Sequence, residues 1–274
     1  MLEAVTRLRF MSGGQLQRLC FETPGSDPTA TARAARRSLL RLIELDLLDR
    51  LERRVGGVRR GSAGFVYCLA PWGQRLAEIR GWMPERRRRR SLAPGTLFVR
   101  HALAVAELHV RLREADRAKR FELLELSAEP ACWRRFAGFG AQRVLKPDSF
   151  VVVANGPWQD SFMVEIDRGT EGSRTLERQL RLYAAYHSTG QEQTERGVFP
   201  RVLWLAPDAR RVQVIVEAAA ALPAVSWELF QVVRFDEAVE VIAGDGAKTT
   251  TKQRSVYGTD VLKSEALDKQ EPVQ

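Results

Sequence analysis

The stretch KPDSFVVVANGPWQDSFMVEID, residues 146–167, decides the fold. Phe150 to Val153 is a short apolar run, and Ser161 to Asp167 is a second strand-like run. Asn155-Gly156-Pro157 lies between them and supplies turn chemistry, so the two read as an antiparallel pair. Asp148 opens the first strand after a proline, while Glu165 and Asp167 stand two apart on the second. Residues i and i+2 of a strand face the same side, so Glu165 and Asp167 point together. Strand pairing lets Asp148 join them. Three converging carboxylates repel one another unless a cation intervenes, and a hard divalent ion such as Mg2+ or Mn2+ relieves that repulsion. Such an ion can polarise a phosphodiester and activate water. Asp148, Glu165 and Asp167 are therefore the candidate catalytic and metal-binding residues.

Outward from this pair, the patterning alternates between helix and strand. Thr96 to Arg117 reads as a helix carrying His101, Glu107 and His109, and Phe121 to Leu126 as a strand. After the pair, Arg174 to His187 spaces Leu176, Leu180, Tyr183 and Tyr186 as one apolar helical face. Val202 to Leu205 is a buried strand, Asp208 to Leu222 a helical run, and Trp227 to Phe235 a last strand. Residues 96–243 thus form one mixed α/β domain.

Residues 1–83 have a different order. Ser12 caps a short helix with Leu16 and Leu19, and a Pro/Gly loop leads to a long helix from Thr29. Ala35, Leu39, Leu42 and Ile43 form its buried face, while Arg33, Arg36, Arg37 and Arg41 fall on the exposed side. Two strand-like runs, Leu47 to Val55 and Phe65 to Leu69, flank a Gly/Arg hairpin containing Arg59 and Arg60. A helix from Trp72 to Ile79 closes the unit. This is the order of a winged helix-turn-helix, whose helix enters the major groove of double-stranded DNA while its wing lies along the backbone. Arg33, Arg36, Arg37, Arg41, Arg59 and Arg60 are the candidate DNA-binding residues. Residues 84–95 are an arginine-rich linker built around Arg86 to Arg90, and residues 244–274, polar and poor in large apolar side chains, read as a disordered tail.

Charge placement points the same way. Of the 274 residues and the net charge of +9, residues 1–100 carry +11 and residues 101–274 carry −2. The electropositive footprint expected of a nucleic-acid-binding protein thus lies in the first hundred residues. No run approaches the roughly 18 apolar residues of a membrane span, and no signal-peptide core stands at the N-terminus. The three cysteines, Cys20, Cys68 and Cys132, contain no CxxC pair; they exclude a disulfide scaffold and suit a reducing cytoplasm. The sequence sets no oligomeric state, and a homodimer is compatible with it.

Two resemblances follow from these residues. Pro147-Asp148 and Glu165-Ile166-Asp167 resemble the PD-(D/E)xK nuclease motif, with Asp167 where that superfamily has lysine. Lys146, Arg168 and Arg178 are the nearby cations that could take the place of that lysine. Across about residues 1–240 the chain resembles the replication-relaxation family of plasmids and other mobile elements. That resemblance is carried by the N-terminal unit, His101-Ala102-Leu103-Ala104-Val105-Ala106-Glu107, Lys146-Pro147-Asp148 and Glu165 to Glu171. The helix with Tyr183 and Tyr186 and the strand Arg201 to Leu205 complete it. It implies a winged helix joined to a restriction-endonuclease-like domain, with a role in replication initiation or DNA mobilisation.

Other chemistries are set aside. No P-loop or dinucleotide fingerprint occurs, which argues against ATP or NAD use. His101, His109 and His187 are too scattered for a histidine-metal tyrosine relaxase, and Tyr183 and Tyr186 read as core. Glu107 and Glu129 are weaker ligand candidates. Two functions remain: a metal-dependent DNA nickase of the relaxase-like kind, or a non-catalytic replication or transcription regulator whose nuclease-like domain has lost its lysine.

Overall fold

The computed structural model describes residues 1–51, 64–82, 94–138 and 140–244. Arg59 and Arg60, the run Arg86 to Arg90 and the tail from residue 245 onward lie outside the described residues. The chain is mixed α/β.

In the N-terminal part, the helix capped by Ser12, the long helix, the two strands and the closing helix fall in the order read from the sequence, and a short helix and a two-residue strand precede them. The elements are α1 (Leu2–Leu8), β1 (Met11–Ser12), α2 (Gly13–Cys20), α3 (Pro28–Glu44), β2 (Leu48–Arg50), β3 (Val66–Leu69) and α4 (Pro71–Ile79). Ser12 caps α2 reciprocally: its hydroxyl accepts from the Gln15 amide, and the Gln15 side chain accepts from the Ser12 amide. Asp27 caps α3 through the amides of Thr29 and Ala30, with Pro28 preset for the first turn. Thr31, Ala35 and Leu39 bury one face of α3, while Arg33, Arg36, Arg37 and Arg41 stay exposed. Leu42 and Ile43, expected inside, are only half-buried. The small sheet is antiparallel in the order β1-β3-β2. At Gly73 a Cβ would stand 2.0 Å from the Leu47 carbonyl oxygen, so glycine is what lets α4 press against the entry to β2.

The second part begins with α5 (Thr96–Arg117), followed by β4 (Glu122–Ala128), β5 (Arg134–Ala137), β6 (Gln142–Leu145), β7 (Ser149–Asn155) and β8 (Trp158–Ile166). Then come α6 (Ser173–His187), α7 (Gln191–Arg196), β9 (Arg201–Ala206), α8 (Ala209–Ala220), β10 (Phe230–Arg234) and α9 (Ala238–Ile242). The last strand is shorter than its pattern suggested, because residues 224–229 coil into a 3-10 turn.

The five-stranded sheet runs β10-β9-β8-β7-β4. The β4, β7 and β8 neighbours are antiparallel, and β8, β9 and β10 run parallel. Alternation along β7 and β8 divides the interior into two cores. Val151, Val153, Phe162, Val164 and Ile166 pack towards α5 and α9, whereas Phe150, Val152 and Met163 pack towards α6 and α8.

Helix α5 belongs to both parts. Its apolar positions join one continuous core with Val5, Leu8, Met11 and Leu16 on one side and the sheet on the other. Polar contacts fasten the same seam. Arg18 binds Glu114 and Glu107, Gln15 donates to the Leu103 carbonyl and to Glu107, and Arg117 donates to the carbonyls of Arg18, Leu19 and Glu22.

Candidate functional site

The site forms where β7 begins and β8 ends. Ser149 pairs with Val164, so Asp148 stands opposite Glu165 in the antiparallel register. The Asp148 amide donates to the Val164 carbonyl at 3.0 Å, which extends the ladder to Asp148 itself. Glu165 shares the α6 side of the sheet with Met163 and lies beside Trp204 of the parallel neighbour β9. Asp148, Glu165 and Asp167 are all buried, and all three line one cavity of about 380 Å3. His101, Lys146, Arg168, Glu171, Gln179 and Trp204 are also part of its polar lining.

The three carboxylates have different partners. Asp148 accepts from His101 Nε2 at 2.9 Å through Oδ1 and from the Ile166 amide at 2.7 Å through Oδ2. Glu165 accepts from the Tyr183 hydroxyl at 2.6 Å. Burial, reinforced by the neighbouring Asp148 charge, holds Glu165 well above the ordinary glutamate pKa. Asp167 is engaged on both oxygens by Arg211 of α8, at 3.0 and 2.7 Å, and also accepts from the Gly169 amide. Its side chain is 1% exposed, so the carboxylate is enclosed with its own counter-ion.

His101 projects from α5 to the open end of this pair. Burial favours its neutral form, but the hydrogen bond and charge of Asp148, with the charge of Glu129, outweigh that and raise its pKa. His109, two turns further along α5, is bonded to the Ser149 hydroxyl at 2.9 Å. Burial there lowers its pKa to about 3, so it is a neutral core group. Glu107 and Glu129, weaker candidates by sequence, are ion-paired to Arg18 and Arg9 instead. Tyr183 and Tyr186 are buried as expected, and their hydroxyls go to Glu165 and Glu192.

Two buried polar atoms in the lining have no protein partner: the Trp204 indole N–H and the Gln179 side-chain oxygen. A donor and an acceptor left open beside two carboxylates suit a polar ligand. Sequence reading missed both, because Trp204 lies within an apolar strand and Gln179 within an ordinary amphipathic helix. Gln179 stands one turn before Tyr183, which is the signal that was available. Of the three cations near the motif, Lys146 and Arg168 reach this cavity, whereas Arg178 lines a second, adjoining one. The Lys146 ammonium lies 4.7 Å from the centre of the Trp133 ring. Among the described residues no group of three or more His, Cys, Asp or Glu side chains is gathered to hold a metal ion, and no helix is long and apolar enough to cross a membrane.

The family model described as Replication-relaxation matches residues 2–202, from α1 into β9. No curated protein and no solved structure matches the chain.

Proposed function

The chain belongs to the replication-relaxation family, and from that premise we propose that it is a DNA-binding protein of plasmid or mobile-element replication and mobilisation, with a metal-dependent nicking site where β7 meets β8. On this reading, residues 1–83 act as a winged helix, and α3 presents Arg33, Arg36, Arg37 and Arg41 to double-stranded DNA. The sheet with α5 and α6 is the restriction-endonuclease-like half.

One observation carries the nicking reading: Asp148 and Glu165 stand opposite one another, buried, with Glu165 held out of its ordinary ionisation range. Two carboxylates are a sufficient protein contribution for Mg2+ or Mn2+, which commonly complete their shell with water and substrate phosphate. Asp148 and Glu165 would hold the ion, and bound there it would supply a Lewis acid and lower the pKa of water. The unpartnered Trp204 N–H and Gln179 oxygen fit that occupancy, as a donor to a phosphate oxygen and an acceptor from water. His101 fixes Asp148, Tyr183 fixes Glu165, and Lys146 and Arg168 offset phosphate charge at the mouth. Hydrolysis adds the water oxygen to phosphorus as the bond to the leaving oxygen breaks, and that oxygen takes up a proton.

The test is supercoiled plasmid incubated with Mg2+ or Mn2+, with and without EDTA. Nicked circles are expected from the parent and not from Glu165→Gln or Asp148→Asn, with duplex affinity unchanged. A second reading, a non-catalytic regulator, is favoured by the Arg211 pairing of Asp167 in the place of lysine. Absence of nicking together with absence of calorimetric metal binding would establish it over the first.

A further inference from the structure

Beside the carboxylate cavity lies a larger hollow of about 680 Å3 between β6 and α6. The two share Lys146, Glu165 and Gln179 in their linings, so they lie side by side. Arg174, Arg178 and Arg181 stand at i, i+4 and i+7 on α6, which places them on one face over about 10 Å of helix. Arg143 of β6 faces the hollow from the other wall, with Lys146 following it. All five are exposed. Arg181 shares its charge with Glu177 at 3.6 Å, whereas no carboxylate among the described residues is ion-paired with Arg143, Arg174 or Arg178.

Residues 101–274 are slightly acidic as a whole, so this concentration of positive charge is local, and it borders the carboxylate site. Exposed arginines kept close together without counter-ions cost electrostatic self-repulsion, which a polyanion removes. A row about 10 Å long carries three positive charges, enough to engage phosphates along a short stretch of one strand. The hollow is walled by β6 on one side and α6 on the other and borders buried carboxylates, an entry that suits one strand rather than two.

We propose that this hollow is a track for the sugar-phosphate backbone of single-stranded DNA, which it leads to the Asp148–Glu165 end of the sheet. The proposal rests on the nicking reading for its direction but not for its binding chemistry. The arginines engage phosphate, so the track is indifferent to base sequence.

The experiment measures fluorescence anisotropy of a labelled single-stranded oligonucleotide and of a labelled duplex, in EDTA, across a salt titration. Full-length parent, Arg174→Ala/Arg178→Ala and Arg36→Ala/Arg37→Ala are compared. The α6 variant is expected to lose at least tenfold in single-strand affinity, with the salt slope reduced by about 0.7 for each phosphate it no longer neutralises. Its duplex binding should stay close to that of the parent, and its thermal unfolding should be unchanged because both arginines are exposed. Charge-preserving Arg174→Lys/Arg178→Lys should recover most of the affinity. Single-strand binding and salt slope equal to the parent's, absence of single-strand binding by the parent, or a weakening confined to duplex would each overturn the proposal. Because no metal is present, a failure of nicking leaves this result intact, and a failure here leaves the metal site intact.

Discussion

The guanidinium of Arg211 spans both carboxylate oxygens of Asp167, joining the end of β8 to the start of α8 across 44 residues of chain. The same guanidinium donates to the Glu171 carbonyl at 2.8 Å. It therefore ties the strand end, the loop after it and the following helix together.

Removing one partner of this enclosed pair leaves a buried charge uncompensated, which typically costs about 3–5 kcal/mol. Arg211→Ala should accordingly destabilise the protein by about that much in urea unfolding. Adding Asp167→Asn to it should recover a large part of that stability, with a coupling energy read from the double-mutant cycle. A coupling near zero would show that the pair is not a unit. Asp167→Lys alone places a cation against Arg211, and it should destabilise the protein.

Glu165 gives a stability profile that falls as pH rises. Its folded pKa lies above the ordinary 4.5, so between these values the folded state holds the extra proton. Stability present below about 4.5 is lost as pH climbs towards the folded pKa, by up to about 1.4 kcal/mol per unit. Glu165→Gln keeps the shape and the Tyr183 hydrogen bond without the charge. It should be more stable than the metal-free parent at pH 7, and the advantage should shrink to nothing near pH 4. Equal stability of the two at pH 7 would contradict the burial-driven shift.

His109 acts in the opposite direction. Its folded pKa of about 3 lies below the ordinary 6.5, so the unfolded chain binds the extra proton between them. Stability is complete above about 6.5 and declines as pH falls towards 3, again by up to about 1.4 kcal/mol per unit. His109→Gln, which can still meet the Ser149 hydroxyl, should flatten that acid limb in urea titrations from pH 7 to pH 4. An unchanged limb would place the acid sensitivity elsewhere.

Arg36 and Arg37 are exposed on α3 and hold no part of the core. Arg36→Ala/Arg37→Ala should leave thermal unfolding within about 0.5 kcal/mol of the parent. Duplex affinity should weaken, and the salt slope should fall by about 0.9 for each phosphate left unneutralised. Parent-like duplex binding across the titration would remove α3 from the interface.

Much of this was legible in local pattern. The bounds of α5 match its apolar spacing, Ser12 and Asp208 sit at the caps of α2 and α8, and the turn at Asn155-Gly156-Pro157 sets the register that brings Asp148 opposite Glu165. What escaped was either too short or too distant. β1 has two residues, and α7 and α9 have six and five, fewer than two turns of periodicity. Arg211 meets Asp167 only through the fold, and no spacing rule connects them. The arginine row on α6 was written in the sequence at helical spacing. A charge count taken along the chain averages it with the acidic residues around it, and only the helix separates the two by face.

Helix α5 is structural property held in common by the two halves, and that governs how the chain can be recombined. A unit that makes no contact with its neighbour can be exchanged between relatives like a cassette. The described N-terminal elements are not such a unit, because Gln15 and Arg18 need Glu107, Glu114 and the Leu103 carbonyl to receive them. A transplanted N-terminal unit would have to bring the facing half of α5 with it, and that helix also carries His101, the residue bonded to Asp148. The packing of the N-terminal elements and the geometry around Asp148 are thus inherited together.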